Sequence, residues 1–294
     1  MGQRRKALAA GLTVAALTLS ACGSGGGGGG AAKVADKPTF EAGTTMARIS
    51  AAGKIKVGTK FDQPGFGLKG LDGKLAGFDV EVAKIIAGAM GVKADSIEWV
   101  ESPSKVREER IEKGEVDLVA ATYTINDKRK QRITFAGPYY VAGQQLMVKS
   151  DNSKVTGPAD LKANADQKVC SVTGSTPAEQ IKPYLASDAQ LVLFDVYDKC
   201  AAALRTGQVQ VVTTDNVILL GFVSKSDKTF KLVGEQFTKE PYGIGVKKGD
   251  VKFCEFINKT LKDNTAAYTK AWADTAGKVE GAATATLPEA APCS

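Results

Sequence analysis

The 294-residue sequence contains no histidine. This absence excludes Ser-His-Asp and Cys-His catalysis, and it removes imidazole both as a metal ligand and as a general base. The sequence also lacks a Gly-x-x-x-x-Gly-Lys-Ser/Thr loop, so this chain is not expected to hydrolyse ATP. Beyond the amino-terminal segment, apolar runs such as residues 217–223 are too short to span a bilayer.

Positive charge exceeds negative charge only mildly, with 39 basic and 32 acidic residues. An excess of this size argues against a nucleic-acid-binding groove, and it suits an anionic ligand or an anionic membrane surface. The overall composition is that of a globular protein. A chain of this length exceeds what one hydrophobic core usually supports, so we expect two lobes or domains.

The amino terminus has the features of an export signal. Basic residues at positions 4–6 precede an apolar stretch over residues 7–19, and small residues then lead to Cys22. The sequence Leu-Ser-Ala-Cys matches the lipobox of bacterial lipoproteins, so we predict a signal peptide over residues 1–21 and a lipid on the cysteine. An ordinary secretory signal is the alternative. Six consecutive glycines follow, and they predict a flexible tether over residues 22–45.

Hydrophobic periodicity predicts two sets of alternating strands and helices. Such alternation is typical of an α/β fold with open, largely parallel sheets, in which ligands lie beyond the carboxyl ends of the strands. We predict strands at residues 55–59, around Trp99, and at 117–122, 168–172 and 209–213, and helices at 77–90, 105–113, 197–206 and, as one apolar stripe, 253–272.

The stretch from residue 117 to residue 140 predicts an anion-binding site. A strand with a buried pattern runs into Thr122 and Thr124, and Arg129 follows after a short turn. Hydroxyls and backbone N–H groups at the end of a strand can donate to an anion, and an arginine binds a carboxylate through two parallel hydrogen bonds. If these groups form such a site, the ligand is expected to carry a carboxylate. The alternative is a structural turn with a surface arginine.

This stretch, with its Thr-x-Thr-Ile-x-x-x-Arg run ahead of Phe-Ala-Gly-Pro-Tyr-Tyr, resembles the amino-acid-binding proteins of ABC importers, family 3 of the extracytoplasmic solute-binding proteins. The resemblance covers about residues 55–261 and is closest to glutamate-binding lipoproteins of actinobacterial type. It implies a two-lobed, type II periplasmic-binding-protein (Venus-flytrap) architecture, in which each lobe is an open, mostly parallel sheet flanked by helices. Lobe 1 is then expected to comprise residues 46–143 and 240–294, and lobe 2 residues 144–239.

The resemblance also assigns the groups that would hold the common part of an amino acid. A carboxylate and an ammonium are costly to bury unless partners of opposite charge are fixed beside them. Asp215 follows an apolar strand and matches the aspartate that binds the ammonium, although an aspartate there also fits a helix cap for residues 216–223. The α-carboxylate is expected to contact Arg129, Thr122, Thr124 and the loop residues Thr173, Ser175 and Thr176.

Three residues of lobe 1 match positions that read the ligand side chain. Lys60 replaces the acid found in members of the family that bind basic amino acids, and Ser104 and Arg107 match residues that hold the distal carboxylate of glutamate or aspartate. Together with Arg129, the two cations give a positive excess over Asp215 that suits a dicarboxylate. Each of them, taken alone, also fits an ordinary surface charge.

Aromatic residues supply further candidates. Tyr197 matches a polar contact of acidic-amino-acid binders, but it also heads the apolar face of its helix and fits a core position. Phe61 or Phe66 stands where the family places an aromatic ring against the ligand.

Four cysteines follow Cys22, which in an exported protein predicts two disulfides. Three pairings are possible. We predict Cys170–Cys200 and Cys254–Cys293, because each pair then lies within one region of the chain. Metal binding is the alternative, but no Cys-x-x-Cys pair supports it.

Taken together, these features predict a binding protein rather than an enzyme. We expect a lipid-anchored monomer on the outer face of the cytoplasmic membrane, or on the periplasmic side if the host has two membranes, that delivers L-glutamate to an ABC permease. Aspartate and glutamine are alternative ligands, and no cofactor, metal or nucleic acid is expected. Enzymes on the same fold dehydrate cyclic amino acids or prephenate-like acids, and Glu101 is the candidate acid for such a reaction. A ligand-sensing lipoprotein is the third alternative.

Overall fold

A computed structural model describes residues 33–294. The predicted signal peptide, the lipidation site Cys22 and the glycine run all lie outside the described residues. In the described part of the chain, no helix is both long enough and apolar enough to cross a membrane.

The residues just before the first helix differ from the prediction. The Ala35 N–H donates to the Gly88 carbonyl at 2.8 Å, and the Phe40 ring packs edge-on against Phe256 with centroids 5.5 Å apart. The tether predicted over residues 22–45 is therefore wrong for its last part, because an apolar side chain and a backbone donor fix that part to the folded body.

Helices and strands alternate along the described chain. The strands are β1 (Ile55–Thr59), β2 (Asp62–Gln63), β3 (Gly67–Lys69), β4 (Leu75–Ala76), β5 (Ile97–Glu101), β6 (Leu118–Val119), β7 (Ile133–Ala142), β8 (Gln144–Lys149), β9 (Val169–Val172), β10 (Leu191–Phe194), β11 (Val211–Asp215), β12 (Phe230–Val233) and β13 (Glu240–Lys247). The α-helices are α1 (Thr45–Ala52), α2 (Phe78–Ala89), α3 (Arg107–Glu112), α4 (Asp127–Lys130), α5 (Thr176–Gln180), α6 (Tyr197–Thr206), α7 (Asn216–Ser224), α8 (Val251–Asp263) and α9 (Thr265–Asp274).

Two five-stranded sheets organise the two lobes. The order in lobe 1 is β5-β1-β6-β13-β7, with β5, β1 and β6 parallel and β13 antiparallel to both of its neighbours. The order in lobe 2 is β10-β9-β11-β8-β12, with β10, β9 and β11 parallel and β8 antiparallel to both of its neighbours. A small antiparallel sheet joins β2, β3 and β4. The predicted two-lobed α/β architecture is confirmed.

The chain passes between the two sheets twice, first from β7 to β8 and then from β12 back to β13. The parallel strands of each lobe deliver polar residues at their carboxyl ends. Lys60 follows β1, Thr122 comes shortly after β6, Thr173 follows β9, and Asp215 ends β11. Open α/β sheets place ligands beyond such strand ends, so these residues mark the functional region.

Two predicted elements are shorter in the structure. β6 pairs only at Leu118 and Val119, because the chain then turns and Thr122 takes a φ of 45°, outside the strand region. The apolar stripe predicted over residues 253–272 is split at Asn264 into α8 and α9. Both helices still bury apolar side chains against lobe 1, so the predicted apolar face is confirmed, whereas the pattern does not predict the break between the helices.

A disulfide closes a loop in each lobe. Cys170 and Cys200 join β9 to α6, with Cα atoms 5.6 Å apart. Cys254 and Cys293 join α8 to the carboxyl-terminal segment, with Cα atoms 6.0 Å apart. Both predicted pairings are confirmed.

Candidate ligand-binding site

Arg129 lies buried where the two lobes meet. It belongs to α4, and its N–H donates to the side chain of Asn126, which caps that helix. Its guanidinium donates from Nε to Glu108 at 3.1 Å, from Nη1 to the Thr124 carbonyl at 2.6 Å, and from Nη2 to the Gly174 carbonyl of lobe 2 at 3.1 Å. A guanidinium carries five N–H donors, so donors remain for an anion. The arginine predicted to bind an anion is thus buried and contacts both lobes.

Thr122 is held in a left-handed conformation, which a non-glycine residue adopts only at a cost. Its N–H donates to Asp79 Oδ2 at 2.8 Å, and its hydroxyl donates to Gln63 Oε1 at 3.0 Å. The Tyr139 hydroxyl donates to the other oxygen of Asp79, and burial raises the pKa of Asp79 to about 7. Asp79 and Gln63 were not predicted, and they position Thr122.

The loop after β9 brings lobe 2 against Arg129. The Thr176 hydroxyl donates to Glu240 Oε2 at 2.8 Å and lies 3.2 Å from the Thr124 hydroxyl of lobe 1. The Thr173 N–H donates to the Phe194 carbonyl at 2.8 Å, which fixes the start of the loop. A cleft of about 410 Å³ opens beside Arg129 and Thr176, between the two lobes.

Ser175 has a role that differs from the predicted ligand contact. Its hydroxyl and its N–H both donate to the Val172 carbonyl, at 2.8 and 3.2 Å, and the hydroxyl accepts from the Ala178 N–H at 3.1 Å. These bonds make Ser175 the N-cap of α5. A Gly-Ser-Thr sequence is as typical of a helix start as of an anion-binding loop, so sequence reasoning could not separate the two roles.

Asp215 enters the site from lobe 2. It stands at the N-cap position of α7, but its side chain makes no capping hydrogen bond. Its Oδ2 accepts from the Tyr242 hydroxyl at 2.6 Å, and its Oδ1 is buried without a hydrogen-bond partner in the described chain. Burial, and then the negative charge of Glu240, raises the pKa of Asp215 to about 7. An ammonium group would provide a donor to Oδ1 and favour the ionised carboxylate.

Two of the three aromatic candidates lie in a hydrophobic core. Tyr197 is buried in the core of lobe 2, yet its hydroxyl has no hydrogen-bond partner among residues 33–294. Phe66 lies in the core of lobe 1, edge-on to Tyr242. Phe61 is half-buried, and Lys69 Nζ lies 5.3 Å from the centroid of its ring. Phe66 therefore serves the core, not a wall against a ligand.

Lys60, Ser104 and Arg107 are all buried on the lobe 1 side. Lys60 Nζ donates to Ser104 Oγ at 2.9 Å. Arg107 donates from Nη1 to the Ala121 carbonyl at 2.9 Å, and its guanidinium lies 4.0 Å from the centroid of the Tyr123 ring. The cluster therefore presents two cations and a hydroxyl.

Burial perturbs both of these cations. Burial, and then the positive charge of Arg107, lowers the pKa of Lys60 to about 7. Burial, and then the positive charge of Arg129, lowers the pKa of Arg107 to about 10. Within the described residues, neither Lys60 nor Arg107 forms an ion pair with a carboxylate. A carboxylate placed between them would offset the cost of burying both charges.

The expected positive excess is wrong for the site as a whole. The prediction compared the charges of three cations with that of Asp215 alone, but the structure also buries carboxylates from other parts of the chain. The buried charged residues of the described chain are Lys60, Arg107 and Arg129 on one side and Asp62, Asp79, Glu108, Asp215 and Glu240 on the other. Glu108 forms an ion pair with Arg129, whereas no carboxylate of the described residues forms one with Lys60 or Arg107. The excess of positive charge is therefore confined to the surroundings of Lys60 and Arg107.

Residues 55–272 match the sequence profile of the bacterial extracellular solute-binding proteins, family 3. This range contains every site residue described above. The chain belongs to this family. Two proteins named glutamate-binding protein GluB are similar to it. That of Corynebacterium efficiens is 37% identical over 271 residues, which are 89% of this chain and 86% of the relative. That of Corynebacterium glutamicum is 42% identical over 219 residues, which are 71% and 73%.

Other relatives carry different ligand names. A glutamine-binding protein of Geobacillus stearothermophilus is 38% identical over 221 residues, which are 74% of this chain and 82% of the relative. Among solved structures, an ancestral arginine-binding protein bound to arginine matches with a TM-score of 0.70 and 36% identity, over 76% of this chain and 98% of that one. Ligand choice therefore varies among proteins similar to this family 3 member.

Proposed function

We propose that this family 3 protein is the lipid-anchored solute-binding component of an ABC importer and that it binds L-glutamate between two closing lobes. One lobe would comprise residues 46–143 and 240–294, and the other residues 144–239. The observation that carries the choice of ligand is the pair Lys60 and Arg107, since both cations are buried and neither has an ion-pair partner in the described chain.

A bound glutamate would place each of its three charges against a buried group of opposite sign. Arg129 would take the α-carboxylate, and Asp215 Oδ1 would accept from the ammonium. The distal carboxylate would lie against Lys60 and Arg107, and Ser104 would add a hydroxyl to that end. A neighbouring charge of opposite sign favours the ionised form of each group, which counteracts the pKa shifts that burial causes.

Glutamine and aspartate are the competing ligands. A carboxamide would accept hydrogen bonds from Lys60 and Arg107 but would leave their charges unbalanced. Aspartate is shorter by one methylene and would reach one end of the site less well. The names of the two corynebacterial relatives support glutamate, and that of the Geobacillus relative makes glutamine the main rival.

Binding without covalent chemistry is favoured over catalysis. A dehydratase on this fold would need a carboxylic acid over the leaving group of its substrate. Glu101, the candidate acid, is exposed at the end of β5. A carboxyl group exposed to solvent is not enclosed with the buried groups of the site, so it is poorly placed over the leaving group of a bound substrate.

Thermal unfolding with glutamate, aspartate, glutamine, asparagine, arginine and prephenate tests the ligand. A ligand at about a hundred times its Kd adds about 2.7 kcal/mol to the unfolding free energy. Glutamate should give the largest shift, and Lys60→Ala and Arg107→Ala should reduce it. Lys56→Ala is the matched control, because Lys56 is exposed on β1. A larger shift with glutamine would contradict the proposed specificity, and a shift with prephenate alone would favour the enzyme.

Anchoring and transport need their own tests. Cys22→Ser should move the protein from the membrane to the soluble fraction, because a lipid chain on the cysteine is the expected anchor. Deletion of the protein should lower glutamate uptake by the cell. Unchanged uptake together with tight glutamate binding would indicate a ligand-sensing lipoprotein instead of an importer subunit.

A further inference from the structure

The segment after β1 reaches from lobe 1 into lobe 2. Asp62 Oδ2 accepts a hydrogen bond from the Tyr197 backbone N–H at 2.7 Å. Tyr197 is the first residue of α6, and the residue at the N-cap position, Val196, makes no side-chain capping bond. A carboxylate at this position accepts a hydrogen bond from a backbone N–H that has no partner within the helix, and it interacts favourably with the helix dipole. Lobe 1 therefore provides the cap of a lobe 2 helix.

The same segment contacts a second helix of lobe 2. The Pro64 carbonyl approaches α7 so closely that a Cβ added at Gly221 would lie 2.4 Å from its oxygen. Side chains do not tolerate such a distance to a backbone oxygen, so glycine is required for this contact. Residues 62–64 thus contact both α6 and α7 when the lobes lie together.

This segment is fixed firmly to lobe 1. Phe66 is fully buried there and packs edge-on against Trp272, with centroids 6.1 Å apart. Gln63 accepts a hydrogen bond from the Thr122 hydroxyl at 3.0 Å, which joins the segment to the ligand site. Because these contacts belong to lobe 1, the segment cannot follow lobe 2 when the lobes separate. The bond from Tyr197 to Asp62 would then break.

We propose that Asp62 is a positioning residue that latches the closed lobes by capping α6 across the cleft. The proposal rests on the proposed function, since it concerns closure around a bound ligand. Observed affinity depends on the fraction of protein in the binding-competent arrangement. A latch that stabilises closure therefore raises the affinity for every ligand by the same factor.

Ligand recognition is the rival role for Asp62. Its Oδ1 is buried and has no hydrogen-bond partner among the described residues, so a donor on a ligand could reach it. The two roles differ in a measurable way. Loss of a latch lowers all affinities equally, whereas loss of a recognition group changes the order of affinities among ligands.

Calorimetric titration of Asp62→Ala and Asp62→Asn with glutamate and the next-best amino acid separates these roles. Asp62→Ala should weaken each ligand by about five- to tenfold, the effect of losing a helix cap. Asp62→Asn should lose less, because its amide oxygen still accepts from Tyr197 without the charge. Asp72→Ala is the control, since Asp72 bonds Lys74 within its own turn. Unchanged affinity in Asp62→Ala, or a changed ligand order, overturns the latch.

Gly221→Ala tests the neighbouring contact by a different route. Alanine stabilises the interior of a helix more than glycine does, so the variant should unfold at the same or a higher temperature without ligand. Its Cβ would meet the Pro64 oxygen only in the closed arrangement, so every ligand should bind more than about tenfold more weakly. An unchanged affinity would show that the lobes do not close against this segment.

A measurement without ligand distinguishes failure of the latch from failure of the proposed function. Spin labels on Lys128→Cys and Glu179→Cys would report the width of the cleft, because these exposed residues line it from opposite lobes. In this background Asp62→Ala should shift the distances to larger values. Distances identical to those with Asp62 intact would overturn the latch, even if no amino acid in the panel bound to the protein.

Discussion

Lys60 should make the affinity for glutamate fall steeply above pH 7. Burial, and then the charge of Arg107, lowers the pKa of Lys60 to about 7 in the structure. A ligand carboxylate beside the ammonium favours its charged form, so the complex requires a protonated Lys60. Binding above pH 7 must therefore include the uptake of a proton.

The size of the effect follows from the protonated fraction of Lys60 before binding. That fraction falls from about one half at pH 7 to about one hundredth at pH 9, which alone would lower the affinity by about fiftyfold. The ionised fraction of Asp215, which binds the ammonium, about doubles over the same range, so the net affinity should fall by about twenty-fivefold. Burial raises the pKa of Asp79 and of Asp215 to about 7, so both become more fully ionised over this range. Burial lowers the pKa of Arg107 to about 10, which leaves that group charged. The loss therefore belongs to Lys60.

Isothermal titration calorimetry at pH 7, 8 and 9, in buffers of different ionisation enthalpy, measures both the affinity and the proton uptake. Lys60→Arg keeps a positive charge throughout this range and should remove most of the decline. Lys56→Ala, which changes an exposed lysine, should keep it, and glutamine controls for titration of the ligand's own ammonium. A flat profile for the unaltered protein, or an equally steep one in Lys60→Arg, would refute the reasoning.

Three further changes have distinct expected results. Arg129→Lys should lower the affinity for every amino-acid ligand by at least about thirtyfold in calorimetry, because one ammonium cannot replace a planar guanidinium that binds Glu108 and a carboxylate together. An affinity equal to that of the unaltered protein would exclude Arg129 as the carboxylate-binding residue. Asp215→Asn should lower the affinity by a similar factor. Without ligand at pH 8 it should raise the unfolding temperature, because an ionised carboxylate is costly to bury above its raised pKa of about 7. A lower unfolding temperature would contradict that cost of burial. Replacing Cys254 and Cys293 by serine should lower the unfolding free energy by about 4 kcal/mol in denaturant titration, for a sequence separation of 39 residues, without changing glutamate affinity.

Sequence reasoning located site residues at or beyond the carboxyl ends of strands. Asp215 ends β11 and Arg129 lies in α4, the helix that follows β6, and in an open α/β sheet that edge faces the ligand cleft. Lys60 carries the same signal because it directly follows β1, whereas Ser104 and Arg107 do not. The placement of Ser104 and Arg107 rested on the family resemblance, and the structure buries all three residues.

The residues that support the site were not predictable in the same way. Asp79 is a first-turn acid of α2, a position common on protein surfaces, but packing buries it against Thr122, which lies 43 residues further on. Glu240 opens β13 where the chain returns to lobe 1, and no local pattern distinguishes it from a loop acid. Asp62 and Gln63 form a strand of two residues, which is too short for any periodic signal.

The overall fold was easier to predict because hydrophobic periodicity reports on burial over many residues. The strand at 55–59 and the helix starting at Tyr197 both follow that pattern. The break at Asn264 does not, since one apolar face continues through it. Boundaries of this kind depend on backbone turns that the pattern of apolar residues does not encode.

A crystal structure of the protein with glutamate is the most direct test of the proposed site. We expect the α-carboxylate to accept hydrogen bonds from Arg129 and the ammonium to donate to Asp215. The distal carboxylate should lie within hydrogen-bonding distance of Lys60 Nζ and the Arg107 guanidinium. Glutamate bound in the opposite direction, with its distal carboxylate on Arg129, or bound outside the cleft between the lobes, would contradict the assignment.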